Sequence, residues 1–376
     1  MVIKTHLWEF HVKELGATMG EFAGWEVPML YTSSLEEHNI VRTSVGIFDV
    51  AHMGRIKLTG PDVLPFLQKI YTKDMSKTKE YWMSGPTMAL NEYARVKDDE
   101  MAYKVSDEEW YVIANAPYRE KMLKYYDEII KKYGFKVKVE DITFKTAMIA
   151  VQGPKVEEVF EKIGAGWAND LHTLEFRMNE EIAGQKVFLI SRSGWTGEDG
   201  FEIWAEPKAM VEIYRALLKA GAKPVGTICR DTLRIEMGYV LGEDEYGEDP
   251  TKFPPALCLR YGLGAITWSK RGFIGEEALR ACRREGCRWI RVGIRMTKKH
   301  ARAILRHGYP VYVEDQVVGW ITSGAYSPYL KRSVGQAYID SRYAIFGEYV
   351  EVEIRGKRYE GRIFDFPLVP GRPVVK

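Results

Sequence analysis

Two stretches of the sequence resemble each other closely enough to restrict the fold. Gly60–Ile70 and Gly153–Ile163 both begin with Gly-Pro and share Val, Lys and Ile at three later positions. Each follows a strand-like run (Arg55–Leu58 or Met148–Val151), and each places its proline at the start of a short helix, where the missing N–H costs no hydrogen bond. Gly-Pro is common between a strand and a helix, but the further matches favour one duplicated strand–turn–helix unit rather than a solenoid.

The hydrophobic pattern changes along the chain from helical to strand-like. Apolar stripes predict a helix over 210–218 that ends at Gly221, and another over 122–133 that ends at Gly134. Later in the chain, short alternating runs separated by turn residues predict six strands: Ile290–Arg295, Pro310–Val313, Val317–Thr322, Val334–Ile339, Tyr349–Ile354 and Tyr359–Phe364. We therefore expect a small all-β domain to close the chain. The acid- and proline-rich segment Glu243–Pro255 is expected to be a loop or linker.

Composition and charge exclude several classes of protein. With 376 residues, the chain has room for two or three domains of roughly 100–200 residues each. Its 54 basic and 52 acidic residues leave a net charge of +2, which argues against nucleic-acid binding because a duplex binder needs a basic excess on one face. No window reaches the ~20 apolar residues of a membrane span, and the first residues lack the apolar run of a signal peptide. We expect a cytoplasmic protein without a membrane partner.

The cysteines predict no special chemistry. The four of them, at positions 229, 258, 282 and 287, fit neither a zinc-binding spacing nor a disulfide-dense scaffold. The closely spaced pair Cys282 and Cys287 can oxidise, but ordinary thiols in a reducing cytoplasm are the favoured interpretation. No metal site is predicted.

A predicted hairpin places a carboxylate on an apolar face. Alternation along its first strand puts Asp99 on the same side as Met101 and Tyr103. If the turn is centred on position 107, Tyr103 faces Tyr111 and Asp99 lies opposite Asn115. This register pairs apolar side chains on one face, which is what normally fixes the register of a hairpin.

The position of Asp99 allows two interpretations. Burial would raise the pKa of its carboxyl and make it a candidate acid or base. The alternative is a solvated carboxylate at the end of a strand, as we expect for its neighbours Asp98 and Glu100. The residues alone slightly favour the solvated alternative.

Three further segments carry polar residues that suit a ligand site. The run Ser191–Glu202 is rich in glycine and small polar residues, which predicts a tight turn with exposed backbone, and it places Glu202 at the start of a strand. The segment Gly226–Tyr239 predicts a helix in which Arg230 forms a surface ion pair by default. His52 is expected to be a hydrogen-bonded structural residue rather than a ligand. Each of these signals is weak alone.

Together, these motifs resemble a known family. The strings that carry the resemblance run in fixed order from about Gly24 to about Pro328: FAGWEVPM, VGIFDVAHMG, SRSGWTGEDGFE, RDTLRIEMGY, FIGEEAL, GYPVY and ITSGAYSP. In this order they are similar to the glycine-cleavage T-protein (aminomethyltransferase) family. The resemblance implies an α+β fold: a three-domain cloverleaf around a central folate channel, with two interleaved α/β domains and a C-terminal β-barrel.

The resemblance also implies domain boundaries. Residues 1–57 with 145–250 would form the first, folate-binding α/β domain. Residues 58–144 with 251–288 would form the second, which carries the hairpin, and 289–376 would form the barrel.

The resemblance assigns roles to individual residues. Asp99, the second of an Asp-Asp pair, matches the catalytic aspartate and would act as acid or base beside the pterin nitrogens. Asn115 and Glu202 match positions that hydrogen-bond the pterin, and Arg230 matches an arginine that contacts folate. The remaining positions that resemble folate-lining ones are Met53, Trp195, Tyr239 and Arg372.

The implied acceptor is tetrahydrofolate, and the implied donor is the lipoylated carrier (H) protein of the glycine cleavage system, with ammonia as a product. The sequence departs from the family at Pro86, at Ala94-Arg95 and at Trp195. These departures weaken the donor assignment, so a tetrahydrofolate-dependent demethylase or methyltransferase acting on a small methylated donor is the alternative. A third hypothesis is a folate-binding protein without turnover. The retained Asp99 argues against it.

Overall fold

The computed structural model describes residues 2–262 and 264–369. Within these ranges the chain forms twenty strands: β1 (Ile3–Lys4), β2 (Thr18–Phe22), β3 (Trp25–Leu30), β4 (Gly46–Asp49), β5 (Gly54–Thr59), β6 (Trp82–Leu90), β7 (Val96–Ser106), β8 (Glu109–Ala114), β9 (Lys138–Asp141), β10 (Ala147–Gln152), β11 (Phe176–Ile182), β12 (Gln185–Ser191), β13 (Gly200–Ala205), β14 (Lys223–Pro224), β15 (Trp289–Met296), β16 (Pro310–Val313), β17 (Gln316–Ser327), β18 (Arg332–Asp340), β19 (Tyr349–Ile354) and β20 (Lys357–Phe364). The same ranges contain eight α-helices: α1 (Trp8–Lys13), α2 (Ser34–Thr43), α3 (Val63–Ile70), α4 (Arg119–Tyr133), α5 (Val156–Lys162), α6 (Pro207–Lys219), α7 (Thr227–Met237) and α8 (Glu276–Glu285). Among the described residues, every α-helix falls short of the length and hydropathy that a membrane-spanning segment requires.

Both helices predicted from apolar stripes are present. Helix α4 ends directly before Gly134, whose φ of +71° is the left-handed conformation that closes a helix. Helix α6 begins with Pro207 and ends shortly before Gly221. The buried side chains of α6 are the predicted apolar stripe: Met210, Ile213, Tyr214 and Leu217.

Two sheets have related strand topologies. The first has the order β6–β7–β8–β5–β9, and the second has the order β11–β12–β13–β10–β4–β14. In each sheet the strand before the Gly-Pro turn, β5 or β10, is followed by a helix and then by three strands, the last of which pairs antiparallel with it. A longer helix, α4 or α6, follows each of these units. This match supports the predicted duplication.

The two sheets are interleaved along the chain. Strand β4 precedes the first sheet in sequence but pairs with β10 of the second, with Asp49 opposite Ile149. The chain builds the first sheet before it returns to complete the second. Together with the barrel described below, this confirms the α+β fold class. The residue boundaries given above for the three domains stay a prediction.

The two Gly-Pro turns have the same backbone geometry. Gly60 has a φ of +135° and Gly153 a φ of +148°. A Cβ atom on Gly60 would lie 2.2 Å from the carbonyl oxygen of Lys136, and one on Gly153 would lie 2.0 Å from that of Ser44. Only glycine allows this close approach of two backbone segments. The two copies of the repeat therefore share a close backbone contact as well as a sequence pattern.

Gly153→Ala is expected to lower the free energy of unfolding by about 2 kcal/mol or more, because the added methyl group collides with a backbone carbonyl in a conformation that alanine disfavours. Gly164→Ala is the matched control: Gly164 has a φ of +74°, but no heavy atom lies within 4 Å of an added Cβ. The control is expected to cost about 1 kcal/mol. Denaturant unfolding followed by circular dichroism measures both, and equal losses would contradict the close-contact argument.

A closed barrel follows the two sheets. Its strand order is β15–β18–β17–β16–β19–β20, and it contains all six strands predicted from alternation. Its interior is filled by buried apolar side chains, among them Val292, Ile294, Val311, Ile321, Ala337, Val352 and Ile363. The prediction of a closing all-β domain is confirmed. The segment Glu243–Pro255 has no helix or extended strand, as predicted.

The two sheets pack face to face, and this contact positions the hairpin of β7 and β8. Tyr103 of β7 and Tyr111 of β8 contact Trp204 of β13, with ring centroids 5.2 Å and 6.2 Å apart. Met148 and Leu189 of the second sheet belong to the same buried cluster. The apolar face of the hairpin is therefore the face between the sheets, which brings the residues at its end close to β13 and α7.

Candidate active site

The hairpin of β7 and β8 has the predicted register. Tyr103 pairs with Tyr111 across the two strands. Beyond the last strand pair, Nδ2 of Asn115 donates to Oδ1 of Asp99 at 3.0 Å and to the carbonyl oxygen of Asp99 at 2.8 Å. The two residues thus lie side by side, as the alternation predicts.

Two tyrosines hold the carboxyl group of Asp99 from outside the hairpin. The hydroxyl of Tyr246 donates to Oδ1 at 2.5 Å, and the hydroxyl of Tyr261 donates to Oδ2 at 2.6 Å. Burial raises the pKa of Asp99, while the hydrogen bonds from Tyr246, Tyr261 and Asn115 oppose that rise. The carboxyl group is fixed at both oxygens, and its raised pKa suits a group that takes up and releases a proton.

Asp98 is buried, so the prediction that it is solvated is wrong. Its Oδ1 accepts from Nδ2 of Asn115 at 2.8 Å, and its Oδ2 accepts from the backbone N–H of Asn115 at 3.0 Å. The hydroxyl oxygen of Tyr246 lies 3.0 Å from Oδ1 of Asp98, within hydrogen-bond distance. Burial, followed by the charges of Glu100 and Asp99, raises the pKa of Asp98 well above its usual range. Tyr246, which helps to bury Asp98, comes from a segment far along the chain. Alternation within the hairpin cannot predict such a contact.

Glu100 is also buried, against prediction, because the second face of the hairpin packs on α4 instead of facing water. The hydroxyl of Tyr71 donates to Oε2 at 2.7 Å, and the hydroxyl of Tyr126 on α4 donates to Oε1 at 2.8 Å. Burial raises the pKa of Glu100 to about 8, although the bonds from Tyr71 and Tyr126 lower it.

The buried Glu100 is expected to make the protein less stable as pH rises. Its ordinary pKa is 4.5 and its folded pKa is about 8, so the folded state holds an extra proton between these values. The stability that this proton confers is complete below pH 4.5 and is lost as pH rises through 8. Glu100→Gln removes the titration, so its free energy of unfolding should fall less from pH 5 to 8, by on the order of 2 kcal/mol.

Denaturant titrations at several pH values measure this difference. The matched control is Glu108→Gln at the exposed tip of the same hairpin, which should keep the pH dependence of the unaltered protein. Identical pH dependence in the unaltered chain and in Glu100→Gln would contradict the assignment.

The residues around Asp99 line a cavity of about 720 Å³. This volume lies in the range of small-molecule sites. The cavity brings together every predicted site residue that lies in the described ranges: Asp99, Met53, Asn115, Trp195, Glu202, Arg230 and Tyr239. Arg372 lies outside the described residues. Pro86, one of the departures from the family pattern, also lines the cavity.

Glu202 and Arg230 supply the charged part of the wall that the second sheet and α7 contribute. The hydroxyl of Ser193 donates to Oε2 of Glu202. Burial raises the pKa of Glu202, while the bond from Ser193 and the charge of Arg230 lower it. The guanidinium of Arg230 lies 4.7 Å from the ring centre of Trp195. Burial, followed by the charge of Arg234, lowers the pKa of Arg230 to about 10.

The position of Arg230 departs from the default of a surface ion pair. It lines the cavity and is half-buried, because α7 turns this side chain toward the space between the sheets. A desolvated guanidinium is stabilised by a carboxylate or carbonyl partner, so this position suits a polar ligand.

His52 and Met53 are adjacent but differ in environment. Met53 lines the cavity, whereas His52 is buried with its ring against Phe22 at 5.5 Å. Neither ring nitrogen of His52 has a hydrogen-bond partner among the described residues, so the prediction of a hydrogen-bonded histidine is wrong. Burial lowers the pKa of His52 to about 3, and the neutral ring packs as an apolar group.

Sequence reasoning missed several residues of this cavity and its supports: Asp98, Lys73, Tyr246 and Tyr261. Tyr246 comes from the segment predicted to be a loop, and Tyr261 follows the short helical turn Ala256–Leu259. Neither tyrosine lies in a recognisable motif. An aromatic residue in an otherwise acidic, proline-rich segment is the one signal available for Tyr246, since such a ring tends to be buried.

Two regions of the chain match descriptions of one family. Residues 8–257 match the "GCVT N-terminal domain", and residues 291–370 match the "Glycine cleavage T-protein C-terminal barrel domain". The second match begins within β15, so it covers the barrel observed here.

Similarity to individual proteins extends along the whole chain. The chain is 56% identical over 370 residues to a probable aminomethyltransferase of Aeropyrum pernix, and the aligned region covers 98% of this chain and 99% of that protein. It is 38% identical over 368 residues to an aminomethyltransferase of Caldanaerobacter subterraneus subsp. tengcongensis, with coverage of 96% and 94%. The crystal structure of glycine cleavage system aminomethyltransferase T from Bartonella henselae superposes with a TM-score of 0.90 at 27% identity and covers 100% of both chains.

Proposed function

This chain belongs to the glycine cleavage T-protein family, and from that premise we propose that it passes the one-carbon unit of an aminomethyl group to tetrahydrofolate. The chain is an aminomethyltransferase, as are the relatives named above that align with nearly its full length. The observation that carries the proposed acceptor is the cavity of about 720 Å³ in which Asp99, Glu202 and Arg230 meet. Two carboxyl groups and a desolvated guanidinium in one cavity suit a flat polar ring with an anionic tail.

The side chains fit a pterin and its tail. The pyrimidine edge of a pterin carries adjacent N–H donors, which the carboxylate of Glu202 can accept. Asn115 donates to the protein through Nδ2, so its Oδ1 is the atom that can accept from a ligand. Arg230 presents a fork of donors to a carbonyl or carboxylate. Met53 and Trp195 supply apolar surface, as is typical of small-molecule sites.

The residues around Asp99 support a role in proton transfer. When bound, tetrahydrofolate would supply the nucleophilic ring nitrogen that accepts the one-carbon unit. Asp99 takes up and returns a proton at its carboxylate oxygens, and Tyr246 and Tyr261 keep those oxygens in place. Asp98 fixes Asn115, which in turn holds the carboxyl of Asp99. General acid–base help of this kind contributes about 10²–10⁴-fold to a rate.

We further propose the lipoylated carrier (H) protein of the glycine cleavage system as the donor, with ammonia as the second product. The departures from the family pattern are compatible with this site. Ala94 keeps a φ of +57°, the left-handed conformation that glycine would adopt in the turn before the aspartates. Trp195 retains an aromatic wall, and Pro86 keeps its place in the cavity wall.

The decisive experiment measures ammonia release from aminomethyl-lipoyl carrier protein by the purified protein, with and without tetrahydrofolate. We expect release together with methylenetetrahydrofolate when all components are present, and none with carrier protein whose lipoyl arm is unloaded. Failure to release ammonia, with methyltetrahydrofolate formed instead from a methylated compound, would replace the proposal by the demethylase alternative. Folate binding without any turnover would support a binding protein.

A further inference from the structure

Three of the four cysteines meet at one point outside the cavity. Cys258, Cys282 and Cys287 place their sulfur atoms within 4.8 Å of one another. The Sγ of Cys258 lies 2.7 Å from that of Cys287, and the Sγ of Cys282 lies 3.8 Å from that of Cys287. Cys258 is buried and the other two are half-buried. The proposed transfer reaction uses none of them.

The sulfur separations distinguish a metal site from a covalent cross-link. Thiolates around a tetrahedral Zn²⁺ with Zn–S bonds of about 2.3 Å keep their sulfurs about 3.8 Å apart. The separation of 2.7 Å between Cys258 and Cys287 is too short for that arrangement. A structural zinc site also takes four ligands, and the described residues offer no fourth His, Cys, Asp or Glu atom to this cluster. The two sulfurs therefore lie closer to a disulfide arrangement than to a metal-bound one.

We propose that Cys258 and Cys287 form a disulfide when the protein meets a small-molecule disulfide. The two thiols lose two protons and two electrons, and one Sγ–Sγ bond forms between them. The small-molecule disulfide accepts those electrons and protons and leaves as two thiols, so the reaction is balanced. In reducing surroundings the pair stays as two thiols.

Cys282 is the thiol that we expect to stay free, because its sulfur is the one outside the close pair. Hydrogen bonds from the other two thiols, together with the charge of Arg95, lower the pKa of Cys282 in the reduced cluster. Thiol–disulfide exchange expels the more acidic thiol more readily, so the bond settles between Cys258 and Cys287.

The cross-link ties the segment that carries Tyr261 to the entry of the barrel. Cys258 lies in the helical turn Ala256–Leu259, just before Tyr261. Cys287 lies just before β15. A covalent bond between them restricts the unfolded chain and so favours the folded one. It also holds in place the segment whose tyrosine donates to Asp99.

Peptide mapping of the full-length protein tests the pairing. The protein is incubated with oxidised glutathione, alkylated, and digested with trypsin without reduction. Trypsin separates the three cysteines into peptides 253–260, 281–283 and 285–288. We expect 253–260 linked to 285–288, with 281–283 alkylated. A link between 281–283 and 285–288, alkylation of all three, or retention of zinc by the sulfurs would each overturn the proposal.

Thermal unfolding of single variants provides an independent test. Oxidised glutathione is expected to raise the melting temperature of the unaltered protein by about 5 °C. Cys258→Ser and Cys287→Ser should each abolish this rise, whereas the matched variant Cys282→Ser should keep it. A rise that survives Cys287→Ser, or one that is lost in Cys282→Ser, would show that the bond lies elsewhere. Neither test depends on the proposed acceptor or donor.

Discussion

Asp99→Asn is expected to reduce the rate of ammonia release by about 10²-fold or more while changing tetrahydrofolate affinity by less than about tenfold. Asparagine preserves the size of the side chain and can still accept a bond from Tyr246 or Tyr261. It cannot take up and return a proton, which is the property that the raised pKa of Asp99 supports. Steady-state kinetics measures the rate, and calorimetry with tetrahydrofolate alone measures the affinity.

The pH profile separates a proton-transfer role from a structural one. Because the base form of Asp99 is lost as pH falls through its raised pKa, the rate of the unaltered enzyme should decline on the acid side. That decline should be absent from the residual rate of Asp99→Asn. Asp107→Asn, an exposed residue at the tip of the same hairpin that pairs with Lys104, should leave the rate within about twofold. An unchanged rate in Asp99→Asn would remove Asp99 from the mechanism.

Much of the fold follows from local sequence patterns. The helices α4 and α6 bury residues at regular spacing, so periodicity is enough to place them. The six barrel strands are short runs separated by turn residues, which is enough to predict that they are strands. The Gly-Pro repeat indicates the two related sheets because the same glycine conformation is required in both. The pairing of β4 with β10 is different, since it joins strands that are separated by a whole sheet and no local pattern encodes it.

Sequence patterns predict the positions of the site residues on the hairpin, but they predict few of those that come from other segments. Alternation brings Asp99 to Asn115 because both lie on one pair of strands. Asp98 and Glu100 cannot be placed in the same way, since their burial depends on Tyr246 and on the packing of α4 against the hairpin. The resemblance to a family supplies Glu202 and Arg230. It does not supply Tyr261, which lies outside every string that carries the resemblance.

Glu202→Ala is expected to weaken tetrahydrofolate binding by about 10²-fold or more, because hydrogen bonds to a charged acceptor contribute roughly 1.5–3 kcal/mol each. Calorimetry with tetrahydrofolate alone measures this loss. The matched control is Glu181→Ala on β11, an exposed glutamate of the same sheet, which should bind normally. Affinity equal to that of the unaltered protein would rule out the pterin contact of Glu202.

We expect Glu202→Ala to lose affinity and Asp99→Asn to lose rate. This contrast tests whether binding and proton transfer belong to different residues of the cavity. Glu202→Ala should lose affinity and, at saturating tetrahydrofolate, recover much of its rate. Asp99→Asn should bind well and stay slow at any concentration. Burial raises the pKa of Glu202, so the ionised side chain is costly to the folded protein. Its removal should therefore leave the melting temperature of the ligand-free protein unchanged or slightly higher, which separates lost binding from lost folding. If both variants lost affinity alone, Asp99 would be a binding residue and the proton-transfer role would fall.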